Sequence, residues 1–372
     1  MMKKITLIYL GRKGGAVPYS FEMTKSLLKN EVHIQAILSD YIVNESEWVE
    51  LSNKNKNLDL IFLSTYKSKF GFIKSFLPDK HYKDAIKKIK DFNPDALYLP
   101  MISLNARKIV GQLKQYTLVT TIHDYNQHPG MKNPVSNYIF HYIKSLSNKF
   151  IVLTKRYIEP ISHKYSTPLK DITHIPHANF AYYNKKDETV DYRINHNILF
   201  FGRITKYKGL SNLLKAMALV WKTYPNIHLN IVGQGNLTPF EESFINNNIE
   251  KVKLNNDWVN DTDVWDIFSK NDLTVLPYIE ASQSGVVALS FSCGRNVIAT
   301  DVGGLRDQIE PANGIIVPVN DEHAIASKII SLYDNPEQIV ELNKKAYKYA
   351  HEEITWDKSA QKLLDFIYNE KS

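Results

Sequence analysis

The sequence is poor in several features that would assign it to a class at once. Cys293 is its only cysteine in 372 residues, which excludes an internal disulfide framework and fits a reducing compartment. No stretch reaches the roughly 18 apolar residues of a transmembrane helix. The apolar segment at residues 5–10 is too short for a signal peptide, and we interpret it as a first strand. We therefore expect a cytoplasmic protein.

Three ligand-binding signatures are also missing. Gly11, Gly14 and Gly15 lack the spacing of a dinucleotide fingerprint, which argues against a nicotinamide-dependent oxidoreductase. No Asp-X-Asp pair ends an apolar run, so we predict no metal and no cofactor. No nucleic-acid module accompanies the basic residues, so we expect no nucleic acid partner.

The composition is that of a globular protein, and the two halves of the chain differ in net charge. Hydrophobic residues make up 44% and charged residues 23%, which is ordinary for a globular chain, and the length suggests two domains. Residues 1–185 hold 27 Lys and Arg against 14 Asp and Glu, a net charge of +13, whereas the rest has −6. We place the domains at residues 1–183 and 190–355, with a polar connection at 181–195.

Short apolar runs alternate with helical patterns along both halves. This alternation predicts α/β domains, each with a doubly wound parallel sheet. The predicted strands of the first half are residues 5–10, 33–38, 58–63, 96–100, 116–124 and 149–154. Those of the second half are residues 198–201, 228–235, 273–277 and 296–300, with two more inside 251–260 and 313–321.

In such sheets ligands bind at the carboxyl edge of the strands. Gly14 and Gly15 form the turn after the first strand, and His123 follows the apolar run at 118–122. We expect His123 to face a ligand. For the two glycines, a tight turn without a ligand is the alternative.

The second half offers a pair of cations and a glycine helix start. Gly202, Arg203 and Lys208 follow the strand at 198–201, and two cations beside a helix start suit a diphosphate. Ser284 and Gly285 open a helix after the strand at 273–277, where the hydroxyl can cap and free amides can face an anion. A surface basic loop and an ordinary core helix are the alternatives.

Two further segments have two interpretations each. Trp258 and Val259 end a strand and could cover a nucleotide base or simply pack. Ten lysines lie between Lys54 and Lys90 among aromatic residues, a pattern suited to an anionic membrane surface. A solvated lysine-rich face is the alternative.

The combined motifs of the second half resemble a known family. FFGRITKYKGL, followed by VLPY, ASQSGV and CGRNVIATDVGGL, is similar to the retaining glycosyltransferases of family 4, which have the GT-B architecture. The resemblance implies two Rossmann-like domains facing a cleft, with a last helix, from about residue 356, crossing back to the first domain. The N-terminal domain would bind the acceptor, and the C-terminal domain would bind a nucleotide-sugar.

The resemblance also implies roles for individual residues. Arg203 and Lys208 would bind the diphosphate and stabilise it as it leaves, and His123 would contact the transferred sugar. No protein nucleophile is assigned, because the family is thought to retain configuration by attack on the face of departure. The remaining substrate-binding residues would be Gly14, Gly15, Gly202, Trp258, Val259, Glu280, Gln283, Ser284, Gly285 and Val286.

One departure from the family pattern concerns a pair of glutamates. Glu280 lies near the position of the first, but Ala288 or Leu289 occupies that of the second, which leaves the ribose contact unassigned. The expectation is a metal-independent hexosyltransferase, with UDP-sugar favoured, acting on a saccharide or lipid-linked glycan in cell-surface polysaccharide synthesis. It would be cytoplasmic, with peripheral attachment to the inner face of the cell membrane as an option. A nucleotide-sugar epimerase and a non-catalytic nucleotide- or sugar-binding protein are the alternatives.

Overall fold

The computed structural model describes residues 2–66, 71, 80–125, 134–184 and 188–368. The chain divides into two compact units, Met1–Pro176 with Trp356–Ser372, and His177–Thr355. Within the described residues, no helix has both the length and the apolar character needed to cross a bilayer.

The first unit is built on a parallel sheet. Its strands are β1 (Lys3–Tyr9), β2 (Val32–Ser39), β3 (Leu58–Leu63), β4 (Ala96–Leu99), β5 (Thr117–Ile122), β6 (Lys149–Val152) and β7 (Ile172–His174). They lie in the order β3-β2-β1-β4-β5-β6-β7. The order reverses at β1, so the carboxyl ends of β1 and β4 form a topological switch point, where ligands bind in folds of this kind.

Helices of the first unit connect these strands. They are α1 (Ala16–Leu28), α2 (Glu45–Lys54), α3 (Lys80–Phe92), α4 (Arg107–Val110), α5 (Pro134–Ser145) and α6 (Ile158–Tyr165). The helix Trp356–Tyr368 also belongs to this unit. The ring of its Trp356 packs edge-on against Tyr19 of α1, with ring centroids 5.1 Å apart. Lys29 Nζ lies 2.9 Å from Asp357 Oδ1. The expected return of the last helix to the first domain is thereby confirmed.

The second unit repeats the arrangement. Its strands are β8 (Asn197–Phe201), β9 (His228–Val232), β10 (Val252–Asn255), β11 (Leu273–Leu276), β12 (Asn296–Thr300) and β13 (Ile315–Val317). The order is β10-β9-β8-β11-β12-β13, all parallel. The switch point here lies between β8 and β11. Two doubly wound parallel sheets, as the sequence predicted, are confirmed.

Helices cover both faces of this second sheet. They are α7 (Leu210–Thr223), α8 (Pro239–Asn247), α9 (Val264–Ser269), α10 (Gly285–Ser292), α11 (Leu305–Ile309), α12 (Glu322–Asp334) and α13 (Pro336–Glu352), and the helix Trp356–Tyr368 of the first unit is α14. Along β8, Ile198 and Phe200 enter one apolar core, whereas Leu199 enters the other. Burial on both faces explains why these strands read as continuous apolar runs.

The predicted polar connection has more structure than a linker. Residues 181–184 and 188–195 lie in the second unit, and the boundary falls after Pro176 instead of within the polar segment. The guanidinium of the buried Arg295 donates to the Asp191 carbonyl at 2.6 Å. Val190 packs against the same core as α10.

Candidate functional site

Two loops meet at the switch point of the second unit. One follows β8 and carries Arg203 and Lys208; the other follows β11 and leads to Ser284. Strands β8 and β11 are hydrogen-bonded neighbours running in the same direction, so both loops leave the same edge of the sheet. A Cβ built on Gly202 would lie 3.7 Å from Val286 Cγ2. The backbone beside Arg203 is therefore next to the first turn of α10.

The loop after β8 is fixed by its backbone. Ile204 pairs with Gly235, and residues Lys206–Lys208 form a 3-10 turn that ends at Gly209, with φ +71°. A side chain at Gly209 would collide with the Pro277 carbonyl, so the turn lies directly against the end of β11. Arg203 is exposed, and its guanidinium has no acceptor among the described residues.

Lys208 is joined to the helix start through Tyr278, which no sequence motif had indicated as a site residue. The ammonium of Lys208 lies 3.7 Å from the centroid of the Tyr278 ring, and Tyr278 Oη lies 3.3 Å from Ser284 Oγ. Burial raises the pKa of Tyr278 well above its usual value, so the phenol stays neutral. Its position directly after the run LTVLP was the available signal.

The start of α10 differs in detail from the sequence prediction. The Ser284 hydroxyl makes no hydrogen bond to the helix, so the predicted side-chain cap is wrong. Its hydroxyl lies against Tyr278 instead. The Ser284 amide donates to Gln308 Oε1 at 2.8 Å, and is therefore occupied. The amides of Gly285 and Val286 have no acceptor within the described part of the chain.

Two buried polar atoms on these loops have no hydrogen-bond partner among the described residues. They are Gln283 Oε1 and Thr205 Oγ1. An unsatisfied buried polar atom costs roughly 1–3 kcal/mol, and such atoms in folded proteins call for an explanation. Their location on the two loops of one switch point is consistent with a polar ligand at this edge.

The carboxylates expected near this site are only partly present. Glu280 is half-buried in the loop after β11. Ala288 and Leu289 are both buried in the core that packs on α10. Neither position of the second family glutamate could therefore hold a carboxylate without disturbing that core.

Trp258 and Val259 follow β10, at the outer side of the same edge. The Asn256 side chain bonds both the amide and the carbonyl of Gly235, at 2.8 and 3.0 Å, which ties the loops after β9 and β10 together. Val259 packs against the core, whereas Trp258 is 69% exposed. The two residues thus differ, and only the tryptophan presents an open aromatic surface.

The first unit places its glycine turn at the switch point after β1. Gly14 has φ +94°, a conformation that favours glycine. Gly15 has φ −60°, which any residue can adopt, and a Cβ there would meet no atom of the described residues within 4 Å. The backbone favours glycine at position 14, whereas the described part of the chain makes no such demand at position 15.

His123 leaves the end of β5 and is held from two sides. Its Nε2 lies 2.7 Å from the Pro100 carbonyl oxygen, so Nε2 carries the proton and Nδ1 is left as an acceptor. The imidazole packs edge-on against the Tyr19 ring, with ring centroids 4.8 Å apart. Burial lowers the pKa of His123, which keeps the imidazole neutral at pH 7.

The remaining predictions concern the cysteine, the basic segment and the absence of a metal. Cys293 is buried, and burial raises its pKa to about 12, which is typical of a structural thiol and not of a nucleophile. Residues 67–70 and 72–79 of the basic segment lie outside the described residues. No group of three or more potential metal ligands occurs in the described ranges, and the absence of a metal requirement stays a prediction.

Comparison with known proteins was most informative for the second unit. Residues 186–352 match the family model described as "Glycosyl transferases group 1". Among curated proteins, the chain is similar to the GDP-mannose-dependent monoacylated alpha-(1-6)-phosphatidylinositol monomannoside mannosyltransferase of Corynebacterium glutamicum. The two are 26% identical over 174 residues, which cover 45% of this chain and 46% of that protein. The chain thus matches less than half the length of this curated relative.

Solved structures resemble the whole chain. A glycosyltransferase from Rickettsia africae has a TM-score of 0.72 at 18% identity, covering 99% of each chain. The HepE protein of Anabaena in complex with UDP-glucose has a TM-score of 0.68 at 13% identity, covering 97% of this chain and 98% of that one. At these identities the likeness establishes the fold, which is GT-B. Together with the family match, it supports a glycosyltransferase.

Proposed function

We propose that the protein is a retaining glycosyltransferase of family 4. It would transfer a hexosyl unit from a nucleotide-diphosphate sugar to a saccharide or lipid-linked glycan in cell-surface polysaccharide synthesis. The observation that carries the proposal is the meeting of two loops at one switch point. Arg203 and Lys208 come from one loop. The amides of Gly285 and Val286, which have no acceptor in the described part of the chain, come from the other loop, beside Gly202.

The chemistry of departure explains why these groups would matter. When the bond between the sugar and the diphosphate breaks, negative charge grows on the phosphate oxygens. Cations and amide donors fixed at that point stabilise the transition state more than the bound substrate, which is what accelerates a reaction. The ammonium of Lys208 already rests on Tyr278, so little ordering is needed for it to reach a phosphate.

Remaining roles are assigned around this diphosphate. Gln283, whose buried oxygen has no partner among the described residues, and Glu280 would contact the sugar or nucleotide. Trp258, with its exposed ring, would cover the base, and Val259 would support it. Gly202 and Ser284 shape the two loops.

His123 and the glycine turn belong to the first unit. Neutral His123 has Nδ1 open as an acceptor, since Nε2–H is bound to Pro100. It would therefore accept a hydrogen bond from a hydroxyl of the transferred sugar. Gly14 and Gly15 leave space for the substrate to approach the backbone.

Retention of the sugar's anomeric configuration requires no protein nucleophile in this proposal. The acceptor hydroxyl would attack the face from which the diphosphate leaves, and the diphosphate would take up its proton. Arg203 and Lys208 supply the positive charge that a metal ion supplies in other transferases, so we expect metal-independent transfer.

The nucleotide is proposed as UDP. HepE of Anabaena was solved with UDP-glucose, which is consistent with UDP, whereas the Corynebacterium relative is named for GDP-mannose. A thermal-shift comparison of UDP, GDP and dTDP decides between them, because a bound ligand raises the unfolding temperature with its occupancy.

The central test removes each cation of the diphosphate site. We expect Arg203→Ala and Lys208→Ala to lower turnover of a labelled nucleotide-sugar by about 10²–10³, the usual loss for a donor of this kind. Lys206→Ala is the matched control, because Lys206 is an exposed lysine of the same 3-10 turn, and it should stay near wild-type activity. Full activity of both alanine variants at positions 203 and 208 would remove the diphosphate assignment.

One observation keeps a second function in view. Ala288 and Leu289 are buried where the family has its second glutamate, which favours a non-catalytic nucleotide- or sugar-binding protein as the alternative. Binding of a nucleoside diphosphate with neither transfer nor hydrolysis would support it. A nucleotide-sugar epimerase would instead convert the donor without any acceptor, and product analysis separates the two.

A further inference from the structure

A second cluster of aromatic and basic side chains lies at the carboxyl edge of the first unit's sheet. Strands β5 and β6 are parallel neighbours; Tyr125 follows β5, and Tyr157 ends the 3-10 turn after β6. Their rings stack with centroids 4.9 Å apart and planes 14° from parallel. Both residues are half-buried. The two ring faces that meet are covered by this stacking, and the rest of the pair is partly open to solvent.

Two lysines stand beside this surface. The ammonium of Lys164, on α6, lies 5.0 Å from the centroid of Tyr125 and 5.9 Å from that of Tyr165. Lys144, on α5, is half-buried. Neither lysine makes a hydrogen bond or an ion pair within the described residues. The cluster thus contains two cations whose charge is not met by a protein carboxylate in contact with them.

The helices that carry the two lysines are in contact, because the ring centroids of His141 on α5 and Tyr165 on α6 lie 5.8 Å apart. Burial, and next the charge of Lys164, lower the pKa of Lys144 to about 8, and Asp124 opposes the shift without cancelling it. Holding two like charges near one another in a partly dry environment is unfavourable. An anion bound to both ammonium groups would relieve that repulsion and restore the charge of Lys144.

The tyrosine rings and the lysines together indicate what kind of molecule would carry this anion. A sugar ring has an apolar C–H face that can lie on aromatic side chains, while its substituents reach polar groups at the edge, as in ordinary ligand sites. Tyr125 is two residues after His123 in the chain. An aromatic face with cations beside it fits an acidic sugar better than a neutral one.

We propose that Tyr125, Tyr157, Lys144 and Lys164 form an acceptor subsite for a saccharide that carries an anionic group, either a carboxylate or a phosphate. The proposal rests on the proposed function and names the acceptor class. The donor diphosphate is assigned to the second unit, so the two anionic groups have separate binding residues.

The test measures sugar binding directly, without turnover. Saturation-transfer NMR on the full chain would compare methyl glucuronide, glucose 6-phosphate and methyl glucoside. At least one acidic probe should bind more tightly than the neutral sugar by about tenfold or more, a difference of about 1.4 kcal/mol. Preference for the glucuronide identifies a carboxylate as the anion, and preference for the phosphate identifies a phosphate.

Variants assign the preference to the cluster. Lys144→Met with Lys164→Met keeps the apolar stems but removes both charges, so the preference for acid should disappear while methyl glucoside binds as before. Tyr125→Ala should weaken all three probes. Lys170→Met is the matched control, an exposed lysine on the turn Leu169–Asp171 of the same unit, and should match wild type.

Two results would overturn the subsite: equal binding of the acidic probes to wild type and to the double methionine variant, or no preference for either acid in wild type. Thermal shifts with UDP, GDP and dTDP on the same protein keep the two proposals apart. If nucleotides bind but acidic sugars show no preference, only the subsite fails. If no nucleotide binds, the donor assignment fails, and the NMR result still decides the subsite.

Discussion

At the scale of single residues, two glycines of the candidate sites differ in what the fold demands of them. Gly209 has φ +71°, and a side chain there would collide with the Pro277 carbonyl. Gly15 has a helical φ of −60°, and no atom of the described residues would contact a Cβ there. Sequence alone makes both look like turn glycines. At position 209 the backbone explains the glycine, whereas for Gly15 we propose the approach of a ligand.

This contrast predicts opposite behaviour of two alanine variants. Gly15→Ala should fold with an unchanged or slightly higher unfolding temperature, because alanine is favoured over glycine at a compatible φ, yet it should transfer sugar more slowly. Gly209→Ala should lose roughly 1–3 kcal/mol or more of stability from backbone strain and collision. Thermal unfolding and transfer assays on both variants check this. A Gly15→Ala variant with full transfer activity would mean that no ligand approaches this turn.

His123 carries a prediction about catalysis. His123→Ala should reduce turnover while nucleotide affinity changes little, because the residue lies in the first unit and its open Nδ1 is assigned to the sugar. Steady-state kinetics and a thermal shift with the nucleoside diphosphate separate the two effects. Loss of nucleotide affinity at unchanged turnover of bound donor would contradict the assignment.

The same residue predicts a pH dependence of stability. Burial places the folded-state pKa of His123 below its unfolded value near 6.5. The unfolded chain therefore takes up this proton first as the pH falls, and the contribution of His123 to stability is present above pH 6.5 and lost below it. The difference in unfolding free energy between wild type and His123→Gln should be constant above pH 7 and shift against wild type below pH 6.5. A difference that does not change with pH would show that His123 is not buried as a neutral ring.

At the scale of elements, the strands were readable because burial on both faces leaves continuous apolar runs. The predicted segment 58–63 matches β3, and 296–300 matches β12. The segment 116–124 was too long, since β5 ends at Ile122 and His123 turns out of the ladder toward Pro100. Strand β7 was missed, because three residues at a sheet edge leave almost no pattern.

The details of the candidate site were less predictable than its location. Two motifs correctly indicated two loops at the edge of the sheet. The ends of β8 and β11 lie together because the strand order is β10-β9-β8-β11. Sequence did not reveal Gln308, which lies far along the chain from the Ser284 amide that it occupies. It also did not reveal Tyr278 as the support for Lys208. Both contacts depend on tertiary packing, on which local pattern carries no information.

At the scale of the whole molecule, the excess positive charge of the first half raises the question of membrane attachment. In the described part of the basic segment, α3 buries Tyr82, Ile86 and Ile89 in the protein core. These apolar residues are therefore not available to enter a bilayer. The lysines of α3 are exposed, so any attachment through this helix must be electrostatic. We propose such peripheral attachment as one way in which a lipid-linked acceptor is reached.

An electrostatic attachment makes a sharp prediction. Each lysine near an anionic surface contributes about 1 kcal/mol, so reversing Lys83, Lys87, Lys88 and Lys90 to glutamate should release the protein from vesicles rich in phosphatidylserine. Wild-type binding should weaken steeply with added salt, because screening shortens the reach of the charges, and neutral vesicles should bind neither protein. Vesicle co-sedimentation measures the effect of the variant, of salt and of lipid charge.

The matched control reverses Lys348 and Lys358, exposed lysines outside α3, and should leave binding intact. Unaltered binding of the α3 variant would refute attachment through this helix, and salt-resistant binding would point to inserted apolar residues elsewhere in the chain.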